Sequence, residues 1–235
     1  MNFSKFPGVT FPDLNRYPPG TSWSMDATGE SITLPRIYNP SSGSCLRDLS
    51  IKNLIERRSP FSHVCYGVYA DGGERRIDES TVLVFTDGAC PNNGRPDAAR
   101  GIGIYFGPNS PHNISQRLPS SEIQTNQRAK IQAAVTALKI LKKELDTVFS
   151  IQKIVIGIDS EYVVKAMSEY VFKWKKNNWH TTKGKEVTNR DLLEVLDVLI
   201  EGMVEDGLEV LFWLVPREDN RDADSLAKEA CMTSA

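Results

Sequence analysis

The sequence is poor in the residues that build thiolate sites and disulfide frameworks, with 4 cysteines and 3 histidines in 235 residues. Cys45, Cys65, Cys90 and Cys231 stand singly without a C-x-x-C pair, and His63, His112 and His180 lie far apart, so no zinc site is expected. Isolated thiols suit a reducing, intracellular setting, the nucleus or cytoplasm. No run approaches the roughly 18 uninterrupted apolar residues of a membrane helix, which argues against insertion in a bilayer. Met1–Thr10 holds one lysine and no apolar core, unlike a secretory signal. An excess of one charge is also lacking: 28 Lys plus Arg against 30 Asp plus Glu leave a formal net charge of -2. On that sum alone the chain does not advertise a polyanionic partner.

What is present divides near residue 80. Residues 1–50 contain six of the 13 prolines, eight serines and four glycines with little periodicity, a composition that buries too little apolar surface to offset ordering entropy. Residues 1–80 are therefore expected to be a partly irregular N-terminal extension, its function open. Phe61–Ala70 alternates in part and ends at the turn signal Asp71-Gly72-Gly73, which fits either a strand pair or an added recognition module. Residues 81–235 form the second unit. Thr81–Thr86 is a short apolar, β-branched run that predicts a buried strand. Residues 100–106 and 113–118 predict two more strands. Ile131, Ala134, Val135, Leu138 and Leu141 share one helical face within residues 125–145. A strand over 154–158, helices over 160–169 and about 192–203, a strand over 210–215 and a helix over 219–232 follow. The fold class is α/β: a mixed five-stranded sheet, a three-strand antiparallel meander plus parallel strands, flanked by helices.

Three aspartates carry the chemical signal. Asp87 is read as following the first strand, Asp159 as following the fourth, and Asp224 as lying near the start of the last helix. A carboxylate ending a buried strand costs desolvation energy unless it is paired or metal-bound. Each alone reads as a helix cap. Together, two of them ending neighbouring parallel strands point to a shared site for a hard cation, Mg²⁺ with Mn²⁺ as the alternative.

The segments Thr86-Asp87-Gly88-Ala89-Cys90-Pro91-Asn92-Asn93-Gly94, Thr125-Asn126-Gln127-Arg128-Ala129, Ile158-Asp159-Ser160 and Ala223-Asp224-Ser225-Leu226-Ala227 occur in the order found in type 1 ribonuclease H, and residues 81–232 resemble that family. Residues 174–191 resemble its basic protrusion. The resemblance implies an endonuclease that hydrolyses the RNA strand of an RNA–DNA hybrid with two Mg²⁺ ions, Asp87 bridging them and Asp159 and Asp224 each serving one. It implies substrate contacts from Cys90, Asn92, Asn93, Thr125, Asn126, Gln127, Trp179, Lys183, Lys185 and Asn189. Polar donors suit the 2′-hydroxyl that distinguishes RNA from DNA, although each could equally be a plain turn or cap residue. A monomer without a small-molecule cofactor is expected.

The sequence departs from the family where it matters most. The family has Glu after the match to Arg128-Ala129, and this chain has Lys130. A protonated ammonium cannot ligate a metal, and it can pair with aspartates in the metal's place. Glu122 and Glu161 are not obvious substitutes. The expectation is strongly reduced hydrolysis with some hybrid affinity kept; the plain alternative is an incidental single-nucleotide Glu-to-Lys exchange in an otherwise active enzyme, and a further reading is a non-catalytic hybrid-binding module. A domain cut from a retroelement polyprotein is a third reading, disfavoured by the absence of polymerase motifs and by the initiating Met1. Ile123 stands where some relatives have an arginine that contacts DNA phosphate, and the loop before Asp224 has no histidine. Residues 171–190 hold six basic residues and one acid around Trp174 and Trp179. Residues 1–80 balance nine bases with nine acids, so the net -2 belongs to residues 81–235, where 19 bases and 21 acids conceal an acidic cluster and a basic arm.

Overall fold

A computed structural model describes residues 36–38, 54–67, 75–93, 95, 98–121, 123–145 and 150–232. Cys45 and Glu122, both considered above, lie outside them. The first elements form a small antiparallel sheet in the order β1 (Ile55–Glu56), β2 (His63–Gly67), β3 (Arg75–Ile77). The strand pair is present: β2 pairs antiparallel with β3 across the turn signal, whose residues are outside the described set, as are residues 68–70.

The main sheet has the order β6 (Ile114–Arg117), β5 (Gly101–Tyr105), β4 (Thr81–Ala89), β7 (Lys153–Ile158), β8 (Glu209–Leu214). The hairpin-connected strands β4, β5 and β6 pair antiparallel, and β7 and β8 add in parallel. This is the mixed meander-plus-parallel sheet that the strand and helix order predicts. β4 is longer than its apolar run. It continues through Asp87, Gly88 and Ala89, which pair with Gly103, Ile102 and Gly101. Asp87 is thus inside the strand, not beyond it. Asp-Gly reads locally as a turn, but the antiparallel partner supplies the ladder hydrogen bonds that extend it.

Helices α1 (Asn126–Leu145), α2 (Glu161–Lys165), α3 (Val171–Lys176) and α4 (Arg190–Glu205) belong to one side of the structure, and α5 (Arg221–Met232) packs on β5 and β4. A π-helical stretch, Ala166–Tyr170, joins α2 to α3. The helical run predicted for 160–169 therefore reaches Lys176. No proline or glycine interrupts residues 161–176, so nothing local ends it earlier. The larger core lies between the sheet and α1, with Val82, Val84, Ile102, Ile131, Leu138, Ile154 and Ile156 all fully buried.

The opposite face is closed partly by residues from before the main sheet. Tyr38, Leu54, Ile55 and Val64 pack with Leu83, Phe85, Val155, Leu211 and Trp213. Tyr38 donates its backbone N–H to Phe212 O at 2.8 Å, and Phe212 donates to Arg36 O at 2.8 Å, so residues 36–38 continue the sheet beyond β8 in parallel. Leu83 likewise donates to Ser62 O at 2.8 Å. The residue-80 division marked by composition is therefore crossed by backbone hydrogen bonds and shared apolar packing. Arg36 also reaches α4: its NH1 is 2.7 Å from Asp197 Oδ1, both side chains are almost fully buried, and its guanidinium lies over Phe172. Asp197 takes a second bond from Lys175 Nζ at 3.0 Å.

Removing one partner of a buried pair leaves the other charge uncompensated, at a cost of several kcal/mol. Because Lys175 remains, Arg36→Ala is expected to lower unfolding stability by about 2–3 kcal/mol, read as a lower urea midpoint. An unchanged midpoint would show that the Arg36–Asp197 pair does not contribute to stability.

Candidate active site

Parallel pairing brings the first two acids together. Phe85 is opposite Gly157 at the end of the β4–β7 ladder, and two residues further along each chain stand Asp87 and Asp159. The α1 terminus is pressed against the same place. A Cβ at Gly88 would overlap the backbone of Ala129 and Lys130, so only glycine permits this approach. Thr125 starts α1 by accepting from the Arg128 N–H at 3.3 Å. Lys130, five residues into the helix segment, then projects onto the paired acids. Its Nζ donates to Asp87 Oδ1 and, at 2.6 Å, to Asp159 Oδ1. The side chains of Lys130, Asp87 and Asp159 are 13%, 4% and 11% exposed, so this is a largely desolvated ion triad.

Asp224 approaches on α5. That helix lies tight on β5, where a Cβ at Gly103 would overlap Ala223 O. Asn220, almost wholly buried, donates to Thr86 O at 3.1 Å and accepts the Asp224 N–H at 3.0 Å, tying the start of α5 to β4. Asp224 has its own cations: Lys228 Nζ at 2.6 Å and Arg217 NH2 at 3.6 Å. A cavity of about 470 Å³ beside it is lined by Arg217, Glu218, Arg221, Asp224 and Ser225.

Burial alone would lower the Lys130 ammonium, but Asp87 and Asp159 outweigh it and hold it above the ordinary lysine range. Burial pushes the Asp87 carboxyl up, against the pull of Lys130. An ammonium with two carboxylate acceptors keeps its proton, so Lys130 is the cation of the triad. Asp224 is partly buried, yet Lys228 and Arg217 hold its carboxyl below the usual range.

The three sequence-identified aspartates are therefore each engaged by a cation from this chain. Among the described residues, no three His, Cys, Asp or Glu side chains are grouped to hold a metal ion. The place between Asp87 and Asp159 holds an ammonium, which offers donors and no lone pair. The residues present do not fit the two-cation site implied by the resemblance. Glu161 does not supply the missing acid, since it is exposed and paired with Lys165 at 2.6 Å.

The candidate substrate residues fall into three groups. Asn92, Asn93, Gln127, Lys183 and Lys185 are exposed, and Thr125, Asn126 and Asn189 are half-buried. Asn189 sits in the left-handed region at φ 61°, just before α4. Cys90 and Trp179 are buried. Trp179 packs against Trp174, ring centroids 5.9 Å apart, and belongs to the larger core. The indole is thus largely enclosed by the protein's own side chains. The Cys90 side chain is likewise withdrawn from the surface. Within the arm, Lys175 is tied to Asp197 and Glu201. Ile123 is exposed.

With this geometry in hand, the comparisons are decisive about family. The RNase H family model matches residues 79–232. The chain belongs to the RNase H family. Ribonuclease H1 of Mus musculus is 39% identical over 158 residues, 66% of this chain and 51% of that protein. Ribonuclease H1 of Homo sapiens is 39% identical over 157 residues, and Ribonuclease H of Schizosaccharomyces pombe 34% over 147, each aligned over 51% of its length. This RNase H chain spans about half the length of those curated relatives. The foamy viral protease–reverse transcriptase solved with dsDNA shares the fold, with a TM-score of 0.51 at 23% identity, covering 66% of this chain and 97% of that one. RNase H proteins generally use divalent metal ions, which sharpens the mismatch at Lys130 in this member.

Four further residues shape the site: Asn220, Arg217, Lys228 and Arg128. Asn220 carried a signal, an Asn just before a helical pattern. Lys228 is four residues after Asp224 and was readable as a helical pair. Arg128 was quoted only as part of a motif. It is buried, with NH1 and NH2 2.8 and 2.6 Å from the two Asp191 carboxylate oxygens, so it joins the first turn of α1 to that of α4.

Arg128 holds the Asp191 carboxyl below the usual range. A depressed folded-state pKa adds stability above the unfolded value of about 3.9, and that stability is lost as pH falls through the folded value. Asp191→Asn is therefore expected to be less stable than the parent at neutral pH, with the gap closing below about pH 4. Urea midpoints across pH check this; a gap independent of pH would exclude the ion pair as its cause.

Proposed function

We propose that this chain binds RNA–DNA hybrids through the RNase H groove and that Lys130 strongly suppresses their hydrolysis. One observation carries the reading: the Lys130 ammonium is bonded to both Asp87 and Asp159. In the intact family pattern these carboxylates serve Mg²⁺, which supplies an activated water and stabilises the leaving oxygen. Here they are committed to a side-chain cation, and Asp224 to Lys228 and Arg217.

The binding part rests on what remains exposed. Asn92, Asn93 and Gln127 offer amide donors and acceptors suited to 2′-hydroxyls and base edges. Lys173, Lys176, Lys183 and Lys185 are exposed on or beside the arm and suit phosphates. Arg128–Asp191 fixes the arm relative to α1, so both groups can meet one duplex. Within this reading Trp179 supports the arm from inside, and Lys175 braces it against α4.

Cleavage of a labelled hybrid in Mg²⁺ tests the catalytic part. Lys130→Glu is expected to raise the rate by roughly 100-fold or more, the scale on which one strong electrostatic contact at a reacting centre acts. Comparable rates for the two proteins would sink it. Neutralising Lys176, Lys183 and Lys185 together is expected to weaken hybrid binding by at least about tenfold and to flatten its salt dependence. Lys175→Gln is expected instead to act mainly on stability. Unchanged affinity in the triple variant would remove the arm from the interface.

A further inference from the structure

Residues 36–38 lie outside the matched family segment 79–232, yet they touch the root of the basic arm. Their backbone is fixed along β8. Phe212 donates to Arg36 O and Tyr38 donates to Phe212 O, both at 2.8 Å, and the buried Tyr38 ring meets Trp213 edge-on with centroids 5.3 Å apart. From this anchor the Arg36 side chain reaches two helices. Its NH1 is 2.7 Å from Asp197 Oδ1 on α4, and its guanidinium lies 5.2 Å from the centre of the Phe172 ring on α3. One planar cation therefore joins the sheet edge, α3 and α4.

α3 has little else to hold it. Of its six residues only Val171 is buried, and a helix so short does not stabilise itself. The arm's lysines hang from it. Trp179 donates its backbone N–H to Trp174 O at 2.7 Å, Val187 donates to Trp179 O at 2.9 Å, and Thr181 donates to Lys185 O at 2.7 Å. Lys173 and Lys176 are on α3, and Lys183 and Lys185 are in the loop so secured, all four exposed. Asp197 also binds Lys175 of α3, but that side chain is 39% exposed against 10% for Arg36. The arginine is thus the less screened of the two ties.

We propose that Arg36 is a positioning residue for hybrid binding: it clasps α3 to α4 and so holds the arm's lysines preordered for the phosphates of the duplex. The inference rests on the hybrid-binding reading above and adds a determinant from outside the family segment. Without the clasp the arm must be ordered as the duplex binds, and that entropy is subtracted from the affinity. Arg36 is itself withdrawn from the surface, so it acts only through the arm, and its effect vanishes once the arm's charges are removed.

The test is hybrid affinity by fluorescence anisotropy in the full chain, at a temperature where every variant is folded by circular dichroism. Arg36→Ala, Arg36→Lys and Phe172→Leu are each compared with the parent, with and without replacement of Lys176, Lys183 and Lys185 by Gln. Arg36→Ala is expected to bind about five- to tenfold more weakly than the parent. Arg36→Lys, which keeps the charge toward Asp197 but not the planar guanidinium over Phe172, should fall between. With the three lysines neutralised, Arg36→Ala should change affinity by less than about twofold. Hydrogen exchange at residues 174–187 should quicken in Arg36→Ala while β4 and β7 keep their protection. Unchanged affinity in Arg36→Ala, an equal loss in both backgrounds, or exchange that quickens equally across the sheet overturns this inference and leaves hybrid binding intact. Absence of hybrid binding by the parent overturns both. Should Arg36→Ala fail to fold, Arg36→Lys and Phe172→Leu decide: a loss confined to the charged arm supports the clasp, and no loss, or the same loss in both backgrounds, refutes it.

Discussion

Two carboxylates set in register on adjacent parallel strands must have positive charge between them. Asp87 is buried inside β4 and Asp159 directly follows β7, so the parallel pairing of these strands delivers both carboxylates to one edge of the sheet. Burying such charges is tolerable only with close compensation. Lys130 supplies it, and the surrounding structure is arranged so that it can. Gly88 lets α1 approach β4, Thr125 sets where α1 begins, and Arg128 anchors the same turn to α4 through Asp191. The chemistry open to the site follows from which cation meets this demand. A metal could polarise water; an ammonium neutralises and donates hydrogen bonds.

The second face of the sheet depends on residues well outside the family match at 79–232. Tyr38, Leu54, Ile55 and Val64 cover Leu83, Phe85, Leu211 and Trp213, and Arg36 inserts a buried charge beside Asp197. Arg57 continues this pattern toward the site: it lies over Phe85 and Tyr105 and reaches Asp222 on α5 at 2.7 Å. The segment before the main sheet is thus joined to β4, β8, α4 and α5, the elements that carry or flank the three aspartates. Composition marked it as separate because its prolines and serines report local chain preference. They do not report which distant surfaces its few apolar residues cover.

Much of the fold was legible. The apolar runs at 81–86, 154–158 and 210–215 became the three buried strands because continuous β-branched stretches have no other stable place. The helical spacing of Ile131, Ala134, Leu138 and Leu141 gave α1, which buries that face. Elements whose limits are set by partners were less legible. β4 runs through Asp87 and Gly88 because β5 pairs with them, and the helical path from 161 reaches Lys176 through a π-helical stretch. Trp179 and Lys175 looked like arm contacts because tryptophan and lysine in a basic run suggest them. In the structure Trp179 packs on Trp174 and Lys175 pairs with Asp197 and Glu201, and the last two partners are distant in sequence.

By itself the sequence determined the strand and helix order, the three aspartates, the odd lysine among them and the basic arm. These are local or motif-level properties, written in residue type and spacing. Only the tertiary structure decided what the lysine does. An ammonium after Arg128-Ala129 could have turned to solvent. The register of two parallel strands and the close approach at Gly88 aim it at both carboxylates instead, because a buried pair of negative charges takes the nearest cation the backbone can deliver. The tertiary structure also decided what covers the sheet's second face, since only folding brings Tyr38, Leu54, Ile55 and Val64 back to it.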